Sequence, residues 1–207
     1  MFVSHQWLAN DHPDPNAEQM KVSLDTLLQL KEVQTHEALS SAGKLAEFKD
    51  DLGHAIFVSH QWLANDHPDP NAEQLKVLQD ALENIRSGRS NIHIPLVTEM
   101  LFGRVSKPSS KDFTSTSVYI WYDYFSCPQG SHGEATLHRQ QAISSIVSYI
   151  SQCKYFVILC PALTHLDQRQ ELGQESWAER GWCSSSTYQR ATSSGFGFCA
   201  RGLGPRI

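Results

Sequence analysis

Long apolar runs are missing from this sequence, and so is any excess of positive charge. No stretch approaches the roughly 18 to 20 apolar residues that a membrane helix needs, so no membrane span is expected. Mean hydropathy is -0.38, with 40% hydrophobic and 19% charged residues, the balance of a soluble mixed domain and not of a disordered chain. Lys and Arg number 17 against 22 Asp and Glu, a formal net charge of -5. No global field exists to hold a polyanion, and nucleic acid is not an expected partner. Cysteine is scarce: Cys127, Cys153, Cys160, Cys183 and Cys199 are odd in number, form no C-x-x-C, and follow no secretory leader. That usage fits a reducing, cytoplasmic location. The chain also has no G-x-G-x-x-G, no P-loop and no G-x-S-x-G elbow, which argues against ordinary dehydrogenases, NTPases and triad hydrolases.

What the 207 residues do contain is an internal copy. Residues 2–19, FVSHQWLANDHPDPNAEQ, recur unchanged at 57–74. Solenoid repeats diverge and occur in several copies, so a single near-perfect pair reads as a partial duplication or a gene-model error. The second copy follows His54-Ala55-Ile56, which lengthens its apolar strand, while the first follows Met1. The second copy is therefore expected to hold the core position.

Between the copies, Leu24, Leu27, Leu28, Leu30 and Val33 precede a Ser40-Ser41-Ala42-Gly43 break, a pattern that predicts two helices. Ala55 to Val58 predicts a strand buried on both faces that opens into polar Ser59 and His60. Asp69-Pro70 opens a helix, and Leu75, Leu78, Leu82 and Ile85 form one apolar stripe stopped by Gly88. Residues 89–116 read as an insertion ending in an exposed Ser/Thr/Lys loop. Val118 to Asp123 predicts a second strand, and Tyr155 to Cys160 a third that Pro161 ends. Leu137, Ile143, Ile146, Val147 and Ile150 are expected on one side of the helix between them. Alternating strands and helices favour a parallel α/β sheet.

Candidate site residues gather at strand ends. Ser59, His60 and Trp62 stand where a strand of an open α/β sheet meets its loop, the place where such sheets bind ligands. They line a site or serve structure there, with Trp62 packing on the first helix as the competing role. Asp123, ending the second strand, contacts a ribose hydroxyl on one reading and caps a turn on the other. His54, His60, His67, Asp66 and Asp69 are dense enough to suggest a metal, but their spacing matches no ligand motif, so capping and cleft-lining roles are expected of them.

Four pieces, in order, resemble the TIR domain, especially its divergent versions in unicellular eukaryotes. FVSHQW at 57–62 is similar to the first TIR strand with its F-[IL]-S-[HYF] signature, and VYIWYDYFSCPQG at 118–130 to the second strand and its loop. LHRQQAISSIVSYISQCKYFVILCP at 137–161 resembles the following helix and third strand, and Trp182-Cys183 the Trp-Cys that opens the next helix. The resemblance implies a flavodoxin-like parallel sheet with flanking helices. It also implies either self-association with other TIR-like domains in signalling or cleavage of nicotinamide from NAD, with NAD as ligand or substrate and no required cofactor.

The cleaving members carry a Glu four residues after that Trp, suited to the positive charge that develops on the sugar. Here that position is Ser186. Glu175 and Glu179, shortly before Trp182, are the weak substitutes. After Cys183 the chain is rich in Ser, Gly and Arg without a helical stripe or a strand, so the sheet is expected to stop after its third core strand. A reading-frame change after Trp182-Cys183 would produce such a loss.

The reading thus divides the chain into three parts. Residues 1–53 hold a partial duplicate of the first strand-helix segment plus a helical spacer, 54–186 a TIR-like α/β domain, and 187–207 a disordered tail. The expected function is a TIR-like signalling or interaction module without NAD-cleaving activity, its ligand-lining residues Ser59, His60, Trp62, Asp123 and Trp182. The alternatives are a nucleotide-handling hydrolase with a non-standard acid and a fragment without function.

Overall fold

The computed structural model describes residues 20–47, 49, 52–90, 108–130, 133–179 and 196–200. At its centre is a six-stranded sheet. In chain order its strands are β1 (Met20–Ser23), β2 (Leu45–Glu47), β3 (His54–His60), β4 (Val118–Trp121), β5 (Tyr155–Leu159) and β8 (Phe196–Ala200). A two-stranded ribbon of β6 (Leu163–Thr164) and β7 (Glu171–Leu172) lies between the last two.

The helices are α1 (Leu24–Gln29), α2 (His36–Ser41), α3 (Glu73–Arg86), α4 (Ser110–Thr114), α5 (Asp123–Ser126), α6 (Glu134–Ser144), α7 (Ile146–Ser151) and α8 (Gln174–Glu179). Among the described residues no helix is long and apolar enough to cross a membrane.

Across the sheet the order is β2-β1-β4-β3-β5-β8. Strands β4, β3, β5 and β8 are mutually parallel, and β1 and β2 add an antiparallel edge beyond β4. Counted along the chain, the parallel strands run second, first, third, fourth, an order compatible with a flavodoxin-like arrangement. The chain leaves β3 for β4 on one side and then returns past it to β5 on the other. The crevice between the C-terminal ends of β3 and β5 is therefore the topological switch point, where open α/β sheets hold their ligands.

Both faces of the sheet are covered, as a largely parallel sheet requires. On one face Ile56, Val58, Ile120, Val157 and Leu159 meet Leu75, Leu78, Leu82 and Ile85 of α3. The three-four-three spacing of that stripe explains why α3 lies flat on the sheet. Leu24, Leu27 and Leu39 of α1 and α2 join the same core. On the other face Ala55, Phe57, Trp121 and Phe156 pack against Ala142, Tyr149, Ile150 and Trp177 of α6, α7 and α8. Phe57 stacks on Trp121 and Phe156 at centroid distances of 4.4 and 5.4 Å.

The three central strands and the α3 stripe lie where the sequence places them, and the second copy of the duplicated block forms the central strand. Several expectations need correction. The parallel sheet does not end at its third strand: Phe196–Ala200, inside the tail expected to be disordered, pairs in parallel with all of β5. The spacer is not only helical, because Met20–Ser23 and Leu45–Glu47 extend the sheet.

The polar stretch before β4 is not merely an exposed loop. Ser109 and Asp112 form a capping box that starts α4, and Phe113 anchors it in the core. The helix before β5 breaks at Ser145, leaving Leu137 and Ile143 54% and 48% exposed while Ile150 is buried. The apolar patch Ile94 to Phe102 lies outside the described residues.

Candidate functional site

Strand alternation decides what the candidate residues can reach. Successive side chains of β3 point to opposite faces, so Val58 and His60 look toward α3 while Phe57 and Ser59 look toward α8. His60 and Ser59, adjacent in sequence, belong to two different clusters.

The first cluster spans the C-terminal ends of β3 and β4. His60 Nε2 lies 2.7 Å from Asp123 Oδ1, and Trp62 Nε1 donates to Asp123 Oδ2 at 3.3 Å. Nδ1 lies 3.2 Å from the Tyr122 hydroxyl and 3.4 Å from the Gln61 carbonyl. The imidazole also stacks on the Tyr122 ring, 3.9 Å between centroids and 11° between planes. The His60 side chain is 2% exposed and that of Asp123 40%, so the carboxylate is the part of the cluster that meets solvent.

Burial opposes ionisation of Asp123. The His60 charge, with hydrogen bonds from His60, Trp62 and the Tyr124 N–H, outweighs it and holds the carboxyl below its usual range. Burial, reinforced by the Asp123 and Asp69 charges, pushes the Tyr122 hydroxyl far above its ordinary value, so it stays protonated. Asp123 is not the last strand residue: β4 ends at Trp121 and Asp123 begins the single turn of α5. Of the two roles expected of it, the place in a turn is the one this position matches.

The second cluster lies at the switch point. Trp177 Nε1, from α8, donates to Ser59 Oγ at 3.1 Å. Ser176 Oγ, which takes the Gly173 N–H at 2.9 Å, lies 3.1 Å from Gln61 Oε1. Gln61 is buried, and its Nε2 has no hydrogen-bond partner among the described residues. Buried Cys160 follows the end of the neighbouring β5.

The loop between β3 and α3 is held at many points. The helix does not open at Asp69-Pro70 as expected: α3 begins at Glu73 after Ala72, and Asp69, in the preceding turn, accepts from the N–H groups of Glu73 at 2.9 Å and Leu75 at 2.7 Å. Gln74 Nε2 donates to the carbonyls of Gln61 and Pro68, and His67 bridges the Asp69 N–H and the Val33 carbonyl.

His54 faces Lys154 and Asp112 at the opposite end of β3. Burial first, then the Lys154 charge, keeps its imidazole below its ordinary value. The dense His/Asp stretch is thus dispersed over separate partners. Among the described residues no three His, Cys, Asp or Glu side chains converge in a way that could hold a metal ion.

His60, Trp62 and Asp123 are brought together, and Ser59 is separated from them by the sheet. Glu175 and Glu179 are exposed on α8, the helix that sends Trp177 to Ser59. Trp182 and Ser186 lie outside the described residues. Sequence reasoning missed Tyr122, Gln61, Ser176 and Trp177. The strand period signals Tyr122, which follows the pattern of Ile120 onto the His60 face, whereas nothing local marks Ser176 or Trp177 as partners of β3.

Burial pushes the thiols of Cys127 and Cys153 up to about 12, with Asp123 adding to the effect at Cys127 and Lys21 opposing it at Cys153. Both are therefore poor nucleophiles. Comparison with known protein families, curated proteins and solved structures found no match to this chain.

Proposed function

We propose that the chain is a TIR-like interaction module that associates with other copies or related domains and does not cleave NAD. The observation that carries this reading is the engagement of Asp123. It stands at the ends of the central strands, where its two oxygens accept from His60 and Trp62. The clasp ties two strand ends into a rigid binding surface, and the position that the TIR resemblance gives to the cleaving carboxylate, needed for the positive charge on the sugar, is Ser186. The ordered TIR-like motifs and the second-first-third-fourth strand order support the same assignment.

Incubating the folded chain with NAD and following nicotinamide release tests the absence of cleavage. Sedimentation over a range of concentrations tests association. Nicotinamide release, or a monomer at every concentration without binding to a related domain, would count against the proposal.

A nucleotide-handling hydrolase is the second reading. It is favoured by the placement of Glu175 and Glu179 on the helix that closes on Ser59. It requires turnover that disappears in Glu175→Gln or Glu179→Gln.

A further inference from the structure

We propose that a pocket at the N-terminal end of β4 is a second binding site, one that takes a neutral saccharide through a single sugar ring. The pocket has a volume of about 330 Å³ and lies between the start of α1, the end of α3 and the link from α4 into β4. That volume falls at the lower end of small-molecule sites, about 300–1,000 Å³. It equals the share of about eleven waters at about 30 Å³ each, close to the size of a hexose with its roughly dozen non-hydrogen atoms. The pocket is separate from the His60–Asp123 pair: Val118, on its wall, opens β4, and Asp123 follows the other end of that strand.

Two kinds of surface meet there. Leu24, Phe113 and Val118 are buried and give the pocket an apolar base. Its rim is polar, made by Asp25, Arg86 and the four hydroxyl residues at 114–117. A sugar ring matches that division, because its C–H face leaves water for the apolar base while the hydroxyls at its edge both donate and accept.

The rim is set before any ligand arrives. Arg86 ends α3 and is held between Asp25 of α1, 2.9 Å from Nη1, and Glu83 one turn back, 2.6 Å from Nη2. A guanidinium carries five N–H groups, so these contacts leave donors for a ligand. Asp25 meets Arg86 through Oδ1, and its Oδ2 has no partner among the described residues. The hydroxyls of Thr114 and Ser115 donate to the carbonyls of Ser110 and Lys111, which orients them and leaves their oxygens able to accept. Groups fixed by their own contacts lower the ordering cost of binding.

Charge selects the class of ligand. One guanidinium faces two carboxylates, so a phosphate would have to displace a carboxylate from Arg86 and then stand beside it. A cation would stand beside the guanidinium. A neutral ring with adjacent hydroxyls takes the carboxylate as acceptor and the guanidinium as donor without parting them. The rim is open to water, with the Asp25 side chain 81% exposed, so the Kd should be on the order of mM.

Titrating the isotope-labelled full chain with D-glucose, D-galactose and D-mannose, followed by amide NMR shifts, tests the proposal. At least one of the three should move the amides of residues 23–25 and 114–119 saturably and leave those of His60 and Asp123 in place. Asp25→Ala and Arg86→Ala should each weaken that binding about tenfold or more. If Arg86→Ala does not unfold cooperatively, Asp25→Ala, whose native side chain is largely exposed, carries the comparison. No saturable shift with any of the three sugars, shifts confined to the His60 cluster, or undiminished affinity in Asp25→Ala would overturn the proposal. Inorganic phosphate is the charged control, and saturable binding of phosphate at these amides without binding of a sugar would overturn it as well.

Discussion

Cutting the contact between His60 and Asp123 in a double-mutant cycle should reveal a coupling of about 1–2 kcal/mol, between the about 0–1 of an exposed pair and the about 1.5–3 of a fully made hydrogen bond to a charged group. The geometry sets this intermediate value: the bond is short, at 2.7 Å, and the imidazole is buried, but the carboxylate is 40% exposed and partly screened. His60→Phe keeps the stack on Tyr122 but also removes the Nδ1 contact of the Tyr122 hydroxyl, a loss present on both sides of the cycle that cancels in the coupling, and Asp123→Asn keeps an acceptor for Trp62. Urea unfolding of the four chains, followed by tryptophan fluorescence, gives the coupling as the non-additive part.

Acidity supplies a second check. The Asp123 carboxyl is lowered on folding, so its stabilisation is complete above the unfolded-chain value of about 3.9. It is lost as the pH falls through the lowered folded value. The part of the coupling owed to Asp123 should therefore persist down to about pH 5 and decline only in stronger acid. A coupling below about 0.3 kcal/mol at neutral pH would mean that the cluster is not held as the geometry indicates.

Three further substitutions follow from single contacts. Gly53 adopts φ 141°, and a Cβ there would collide with the Ser117 carbonyl that receives the His54 N–H. Gly53→Ala should therefore cost about 2–4 kcal/mol in urea unfolding by forcing β3 away from β4. Removing the Asp69 carboxylate leaves the N–H groups of Glu73 and Leu75 without their acceptor, so Asp69→Ala should lose about 1–3 kcal/mol, and Asp69→Asn should lose less. The buried Ser145 hydroxyl at the break between α6 and α7 has no partner among the described residues, so Ser145→Ala should leave the melting midpoint unchanged or raise it, by up to about 1 kcal/mol of stability.

The central sheet was legible because its three middle strands are short, apolar and bounded by polar ends. The α3 stripe was legible because Leu75, Leu78, Leu82 and Ile85 repeat at the helical period. The edges were not. Lys21 and Val22 repeat the Lys-Val pair of residues 76–77, yet the first pair lies in β1 and the second in α3. Identical local sequence therefore yields strand or helix according to what it packs against.

Strand β8 contains Gly197 and sits in a Ser/Gly-rich stretch, so only pairing with β5 identifies it. The apolar residues of α6 misled for a different reason. Their stripe assumes one continuous helix, whereas the helix breaks at Ser145 and Leu137 and Ile143, both before the break, are exposed. In the site, Trp62 and Asp123 were found from strand-end logic. The separation of Ser59 from His60 follows from a period of two that motif reading ignores.

Nicotinamide release from NAD, measured on a preparation that unfolds cooperatively, tests the central claim most directly. It is to be compared with a Ser59→Ala/His60→Ala/Glu179→Gln variant. A binding module whose Asp123 is clasped by His60 and Trp62 should release no more nicotinamide than that variant. Release above the variant's level, repeated on independent preparations, would contradict the account and return the chain to the enzymes.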